Sequence, residues 1–456
     1  MSPHIVYSSF RQLIGWVRRA PQVQQGDHSG VSQMQDQQQP FQGVKIVEFG
    51  QFVAVPFSAQ LLAEGGAHVI KVESLDGDPT RLLGQIAKGE TRIFISRNRG
   101  KHSLPLHLSN AEAKPVIDAL LAWADVALMN FRPGMAEKLG LDAGVLVPKY
   151  PSLIVGTVTP FGQEGPEAAL AGMDIVVQAR SGLMAANGRT QEGRPVPGDP
   201  VSADYMCAMS LAFGVASALL RRERTGLGGT VDVSLIQSAM TLANNQLIRS
   251  ENRDAERHRT ILEDLDERRQ NGASFEEQAA AISSARSMPF LQVYFRTYET
   301  ADAPIAIACG SHRLRLSFIT AIGLSDPALE STERIDWTEH YAALHQNAEA
   351  TMRSKSSEEW IKIISAAGVP VSVVKFPLEL FDDPQTKANN MFHRLQHPTA
   401  GVMNVLSPPV ALDNDGFKPG MPTAEFGSET DSILDMLGFS TADADALVSG
   451  GVTHRG

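Results

Sequence analysis

The stretch "VKIVEFGQFVAVPFSAQLLAEGGAHVIKVE" (44–73) decides the fold. Its first six residues, "VKIVEF" (44–49), form a compact apolar run of strand length. "FSAQLLAEGG" (57–66) reads as a helix stopped by paired glycines, and "HVIKVE" (68–73) as a second strand. Strand, helix and strand in that order make a βαβ unit, whose crossover is right-handed and whose strands are parallel. The pattern continues. Further strands are predicted at "HSLPLHL" (102–108), "DVALMNF" (125–131) and "LIVGTVT" (153–159), with the helix "AEAKPVIDALLAWA" (111–124) between two of them. A long helix is predicted at 204–224, a strand at "GTVDVSL" (229–235) and a helix through about 247. This alternation is that of a doubly wound, Rossmann-like α/β fold.

Beyond residue 250 the pattern changes. "SENRDAERHRTILEDLDERRQNGASFEEQAAAISSA" (250–285) is heavily charged and helical in bias, so it is expected to be a solvated linker or arm. "VYFRTYETADAPIAIACG" (293–310) reads as a hairpin with its turn at 301–304. Helices are expected near 311–322 and 338–366, a strand at "VPVSVVKF" (369–376), and a capped helix at "SETDSILDMLGFS" (428–440).

At 456 residues the chain is long enough for two or more domains. A formal net charge of −11 removes any global case for nucleic acid. The two cysteines, Cys207 and Cys309, make neither a disulfide framework nor a zinc site and fit a reducing compartment, hence a cytoplasmic expectation. No apolar run is read as reaching the roughly 20 residues of a membrane helix. At the start, "IVYSSFRQLIGWVRRA" (5–20) has no acids and three arginines. It resembles a mitochondrial presequence, which would place the protein in the matrix; a disordered extension over 1–41 is the simpler reading.

Several motifs fail. Glu73 sits where a ribose-binding acid would, but the turn after the first strand is "GQFVAVP" (50–56), without the glycines that let a pyrophosphate approach the backbone. "GQIAKGE" (84–90) has the glycine spacing of a P-loop and lacks its Lys-Ser/Thr. There is no G-x-S-x-G, no H-E-x-x-H, and the histidines are scattered, so no metal is expected. Basic residues cluster at "SRNRGKHS" (96–103). Arg97, Arg99 and Lys101 there are either a solvated loop or an anion site for a phosphorylated cofactor. "NFRPG" (130–134) adds Arg132 on a turn at a strand's carboxyl end, where ligands bind in open α/β sheets.

In "PVSADYMCAMS" (200–210) a carboxylate, Asp204, opens a long apolar helix. A helix cap explains such a residue, and so does catalysis. Cys207, one turn on, has no evident base or cation and reads as a buried small residue. Tyr205 reads as packing, and Gly226, Gly228 and Gly229 as a helix-ending turn.

As a set these motifs are familiar. "GVKIVEFGQFVAVPFSAQLLAEGGAHVIKVES…GDPTR" (43–81) resembles the opening of the class III CoA-transferases, the family of formyl-CoA and carnitine CoA-transferases. "NRGKHSLPL" (98–106), "NFRPGMAEKLGL" (130–141), "GTVTPFGQEGP" (156–166), "MDIVVQARSGLM" (173–184) and "ADYMCAMSLAFGVASALLRRERTGLGGTVDVSL" (203–235) are similar to that family too. So are "FDDPQTKANNMF" (381–392) and "FGSETDSILDMLG" (426–438). The resemblance implies a large CoA-binding domain built from 42–245 and 369–456, a charged insert at 246–289 and a smaller α+β domain at 290–368. It implies an interlocked homodimer as well.

The resemblance also implies that Asp204 is the nucleophile. A carboxylate near a helix N-terminus is expected to stay ionised, and the same backbone N–H groups are expected to serve an oxyanion. Coenzyme A is the implied co-substrate. Arg97, Arg99 and Lys101 would lie at its adenosine end, and Asn130 and Arg132 would line its site. The partners implied are an acyl-CoA and a small carboxylic acid, with dicarboxylates common in the family. Val53 stands where some members carry glutamine, which argues against a formyl-CoA/oxalate enzyme, and the glycine-rich flap of that type has no counterpart at 250–290.

Two alternatives stand beside this. The related α-methylacyl-CoA racemases need two bases, and a histidine precedes the aspartate that Asp174 matches; here that position is Met173, which takes no proton at neutral pH. His68 or His102 could substitute only if the fold brought one to Asp204. Asp174 itself reads as structural. The other alternative is a non-catalytic CoA-binding paralogue.

Overall fold

The computed structural model describes residues 39–198, 200–284, 288–333, 336–413 and 416–456. The extension expected over 1–41 lies outside the described residues as far as 38. Gln39 and Phe41 already belong to the fold: the Gln39 amide donates to Glu64 O, and Phe41 N to Gly65 O.

Six strands form one parallel sheet: β1 (Lys45–Phe49), β2 (His68–Glu73), β3 (Lys101–Pro105), β4 (Val126–Met129), β5 (Ile154–Thr159) and β6 (Gly229–Ser234). Their spatial order is β6-β5-β4-β1-β2-β3. The chain runs outward from β1 to β3, then returns to the other side of β1 and continues to β6. This is the doubly wound order, and its switch point lies between β1 and β4. The expected α/β class with a large parallel sheet is what the chain forms.

Both faces are covered, which is why the strands read as unbroken apolar runs. Ile46, Val69, Val126, Leu128 and Ile154 pack against α1 (Ala54–Glu64) and against the long helix at 202–225. The next residues along, Val47, Ile70 and Ala127, pack on the opposite face. There they meet α3 (Lys114–Trp123) and the C-terminal segment, through Ile433, Leu434, Ala444 and Val452. The short α2 (Arg92–Asn98) precedes β3, where the sequence suggested a loop. Thr91 caps it, accepting from Phe94 N at 2.9 Å. α4 (Asp174–Arg180) follows β5. Then come α5 (Ser202–Thr225), β6 and α6 (Leu235–Leu242).

By length and composition α5 would pass for a membrane-crossing helix, which corrects the sequence reading that no run approaches that length. Its packing is that of a core helix. Ala203, Cys207, Leu211, Val215 and Ala218 recur at helical spacing and are buried against the sheet. Gly226, at φ 73, ends it in the left-handed conformation that favours glycine.

The charged segment forms two helices, α7 (Glu251–Gln270) and α8 (Phe275–Ser284). A three-stranded antiparallel sheet follows, β7 (Phe295–Tyr298), β8 (Ile305–Ala308) and β9 (Val371–Val373), with β8 central. α9 (His312–Ala321), α10 (Thr338–Met352) and α11 (Ser357–Ala366) close a separate core around Tyr294, Phe318 and Trp360. The single helix expected over 338–366 is two, because Ser356 and Glu359 form a capping box that starts a new one.

Candidate active site

α5 runs antiparallel to the strands. Arg222 in its last turn bonds Asp125, just before β4, at 2.9 Å. A 24-residue helix is about 36 Å long, so its N-terminus reaches the carboxyl edge of the sheet. Asp204 sits in its first turn, half-buried, and its carboxylate makes no hydrogen bond among the described residues. The capping role comes from elsewhere. Asp174, buried at the start of α4, accepts from Ala203 N at 2.9 Å and Asp204 N at 3.1 Å. Its other oxygen accepts from the Gln178 amide, and Gln178 in turn accepts from Gly198 N at 2.9 Å.

This arrangement corrects the expectation that the helix end keeps Asp204 ionised and offers its N–H groups to an oxyanion. Two of those groups are occupied by Asp174. Burial first, and the Asp174 charge second, push the Asp204 carboxyl up to about 7, while Arg97 pulls it down. Burial pushes the Cys207 thiol up to about 12, so Cys207 is no nucleophile. A prediction arises here. Asp174→Asn keeps an acceptor for the two N–H groups and removes the like charge. The acidic midpoint of kcat/KM should move down from that of the wild type; an unchanged or higher midpoint would refute the assignment of Asp174 as the charge that perturbs Asp204.

Beside Asp204, Tyr205 meets Phe57 of α1 edge to face, with ring centroids 5.0 Å apart. Arg97 Nε donates to the Tyr205 hydroxyl at 3.4 Å. Arg97 is thus brought to Asp204, and Arg99 and Lys101 are not. Arg99 is buried and paired with Glu64 at 2.8 Å. Lys101 is buried, paired with Glu48 at 2.7 Å, and donates to Pro56 O and Asn98 Oδ1, each at 2.8 Å. Their heads are engaged inside the protein, so the direct phosphate contacts expected of them are replaced by structural ones.

Asn130 also has a different task. It accepts from Gln51 N and donates to Gln51 O, each at 2.9 Å, and so ties the loops after β1 and β4 together at the switch point. That loop is tight. A Cβ on Gly50 would meet Val55 Cγ1 at 2.3 Å, and Phe52 holds φ 68, the left-handed region that strains a bulky residue. Val53, buried, precedes α1. Arg132 lies exposed on the turn after β4, with no side-chain partner among the described residues.

Sequence reasoning missed a cavity of about 420 Å³ at the same edge, between α3 and the segment after "NFRPG". Lys114, Lys138 and Lys149 rim it over a floor that includes Leu108 and Ile117. Lys114 and Lys149 share Asp118, at 3.2 and 2.8 Å. Lys138 has no partner among the described residues. Only Lys138 had a sequence signal, its place within "NFRPGMAEKLGL"; the other two come from separate helices.

The histidines of the racemase alternative lie elsewhere. His68 is the first residue of β2 and His102 the second of β3, at the amino ends of the strands. Their rings stack at 4.5 Å, and His102 bonds Glu429 at 2.7 Å. The sheet separates them from Asp204. Among the described residues no group of three or more His, Cys, Asp or Glu is placed to hold a metal ion.

Comparison with known proteins places this geometry. The cinnamoyl-CoA:phenyllactate CoA-transferase of Clostridium sporogenes is 28% identical over 427 residues, 91% of this chain and 97% of that one. The human succinyl-CoA:glutarate CoA-transferase is 26% identical, covering 91% of this chain and 90% of that one. The crystal structure of Rv3272 from Mycobacterium tuberculosis superposes with a TM-score of 0.69 at 26% identity, over 87% of this chain and 99% of that one. Residues 41–427 match the family described as CoA-transferase family III. The sheet order, the carboxylate at its carboxyl edge and this match lead to one conclusion: the chain belongs to CoA-transferase family III and is an enzyme of the class III CoA-transferase type.

Proposed function

We propose that the protein moves CoA reversibly from an acyl-CoA to a carboxylic acid through covalent intermediates on Asp204. The observation that carries this is a partly buried carboxylate in the first turn of α5, at the carboxyl edge of the sheet, whose oxygens make no hydrogen bond among the described residues; burial also raises it above the usual carboxylate range. An Asp204 oxygen attacks the thioester carbon, the C–S bond breaks, and a mixed anhydride and CoA thiolate result. The thiolate attacks the aspartyl carbonyl and releases the donor acid, leaving aspartyl-CoA. The acceptor carboxylate then repeats the sequence in reverse, and Asp204 is regenerated. The thioester bond is conserved throughout, so the exchange needs no external energy source.

Charge develops on the attacked oxygen. The N–H groups of Val53, Ala54 and Val55, at the start of α1, make no hydrogen bond among the described residues. α1 packs beside α5, and Ala54, Val55, Ala203 and Cys207 belong to one buried core, so these donors are the candidates for that oxyanion. At the other end of the CoA, the lysine-rimmed cavity and Arg132 supply cations for its phosphates. Between them the buried apolar side chains of Val53, Ala54, Val55, Ala203 and Cys207 limit water, which would hydrolyse an anhydride.

The enzyme is further proposed to be an interlocked homodimer, with a large domain of 42–245 and 369–456 and a smaller one at 290–368. In a single chain α5 presents Met209, Phe213 and Leu220 on one outer face, with Phe213 76% exposed. Apolar surface of that kind on a core helix suits cover by a second copy.

Intact mass measurement with a panel of acyl-CoAs in D2O, with and without hydroxylamine, tests the mechanism. The expected result is a hydroxylamine-sensitive adduct mapping to Asp204. Deuterium at the α-carbon of the acyl-CoA with Asp204 unmodified would replace this reading with racemisation. CoA binding with neither event across the panel would support a non-catalytic member.

A further inference from the structure

The buried cations around the sheet are paired. Lys71 and Lys101 share Glu48, Arg81 meets Glu73 and Glu90, and Arg99 meets Glu64. Arg97, two residues from Arg99, is different. It is half-buried and no carboxylate of the described residues pairs with it. Its Nε donates to the Tyr205 hydroxyl at 3.4 Å, and its guanidinium carbon lies 5.5 Å from the centre of the Tyr205 ring. The two terminal nitrogens make no hydrogen bond among the described residues. Because the Tyr205 oxygen accepts from Arg97, the hydroxyl proton remains free to be donated. Phe57 fixes the ring edge to face. The result is a fork of two N–H donors with an O–H beside it, which matches a carboxylate.

Asp204 does not fill this fork. It is adjacent in sequence to Tyr205 and feels the Arg97 charge, yet the two form no ion pair. The CoA phosphates do not suit it either. When the thioester carbon is at Asp204, the whole pantetheine arm separates the phosphates from that point, whereas the acyl group extends from it. An anion that reaches Arg97 in that state therefore belongs to the acid.

Resting on the transferase reading above, we propose that Arg97 and Tyr205 form a receptor for a second carboxylate, and that the acids exchanged are dicarboxylic. An acid without that group leaves a half-buried cation unpaired. Sites built to pair a polar group discriminate strongly against analogues that lack it.

The test uses the full-length protein with length-matched acids, succinate against butyrate and glutarate against pentanoate. Each serves as acceptor with a donor that loads the enzyme. Each is also measured by calorimetry on the protein with and without CoA. For the wild type we expect dicarboxylates to be favoured by at least ~10²-fold in kcat/KM, mostly through KM. In Arg97→Met that ratio should collapse to within a few-fold, with CoA affinity retained. Tyr205→Phe should reduce it partially, and Arg97→Lys should restore part of it. A wild-type preference for monocarboxylates, or an unchanged ratio in Arg97→Met, would overturn the proposal. Loss of CoA affinity in Arg97→Met would assign the cation to a phosphate instead. If a donor loads and neither dicarboxylate turns over, the receptor proposal is overturned. If no donor loads Asp204, the covalent reading fails and calorimetry decides separately. Dicarboxylate binding lost in Arg97→Met upholds the receptor, and no such binding removes it.

Discussion

Asp204→Asn is expected to lower kcat at least ~10³-fold and to abolish the hydroxylamine-sensitive adduct, because the amide is no nucleophile. The same variant should be more stable than the wild type at pH 8 and about equal to it near pH 3.5. The sign follows from the raised carboxyl. Folded, Asp204 titrates at about 7; unfolded, a free aspartate titrates near 3.9. Between those values the folded state holds a proton that the unfolded state has released. The contribution of this group to stability is therefore full below the unfolded value and is lost as pH rises through about 7. The loss is up to about 4 kcal/mol, since one pKa unit corresponds to about 1.4 kcal/mol. Asn carries no charge and escapes it. Thermal unfolding at the two pH values checks this, and a variant that loses both activity and stability at pH 8 would show that Asp204 holds the fold. In the wild type, kcat/KM should rise with pH through the same region, because only the carboxylate attacks.

The second large effect concerns Glu48→Gln. Glu48, fully buried in β1, lies between two buried cations, at 2.9 Å from Lys71 and 2.7 Å from Lys101. Lys71 is also 3.0 Å from Asp78 and donates to Gly50 O at 2.7 Å, while Lys101 donates to Pro56 O at 2.8 Å. The cluster thus holds both ends of the loop that carries strained Phe52 and leads into α1. Burial draws Lys101 down to about 8, with Glu48 opposing it. For Lys71 burial also acts downward, but Glu48, Asp78 and Glu73 outweigh it and raise its pKa. Removing one partner of a buried pair leaves an uncompensated charge and costs about 3–5 kcal/mol. Glu48→Gln should lose stability of that order, measured by denaturant unfolding. Combining it with Lys101→Met removes one charge of each sign and should recover most of the loss. If the double variant is no more stable than Glu48→Gln alone, charge balance is not what the cluster provides.

The two variants differ in how much of their basis the sequence carried. Asp204 could be singled out, because an acid opening an apolar helix is visible in one dimension. Its environment could not. Asp174 is thirty residues away, and capping from that distance depends on where α4 and α5 end in space. Arg97, Arg99 and Lys101 show the same limit. They look alike within "SRNRGK", but the helix α2 and the turn at Gly100 send them in different directions, two inward to carboxylates and one toward Asp204. The cavity lysines come from separate helices, and no local spacing links Lys114 to Lys138 and Lys149.

What the sequence determined by itself is the alternation of elements. Apolar strands and amphipathic helices have local periods of 2 and 3.6, and glycines such as Gly226 end helices locally. From these the parallel sheet and the long helix behind Asp204 follow. What only the tertiary structure decided is the charge state and pairing of each polar group. Desolvation and Coulomb energy depend on distances between residues remote in sequence, and those distances exist only once the sheet has closed around β1.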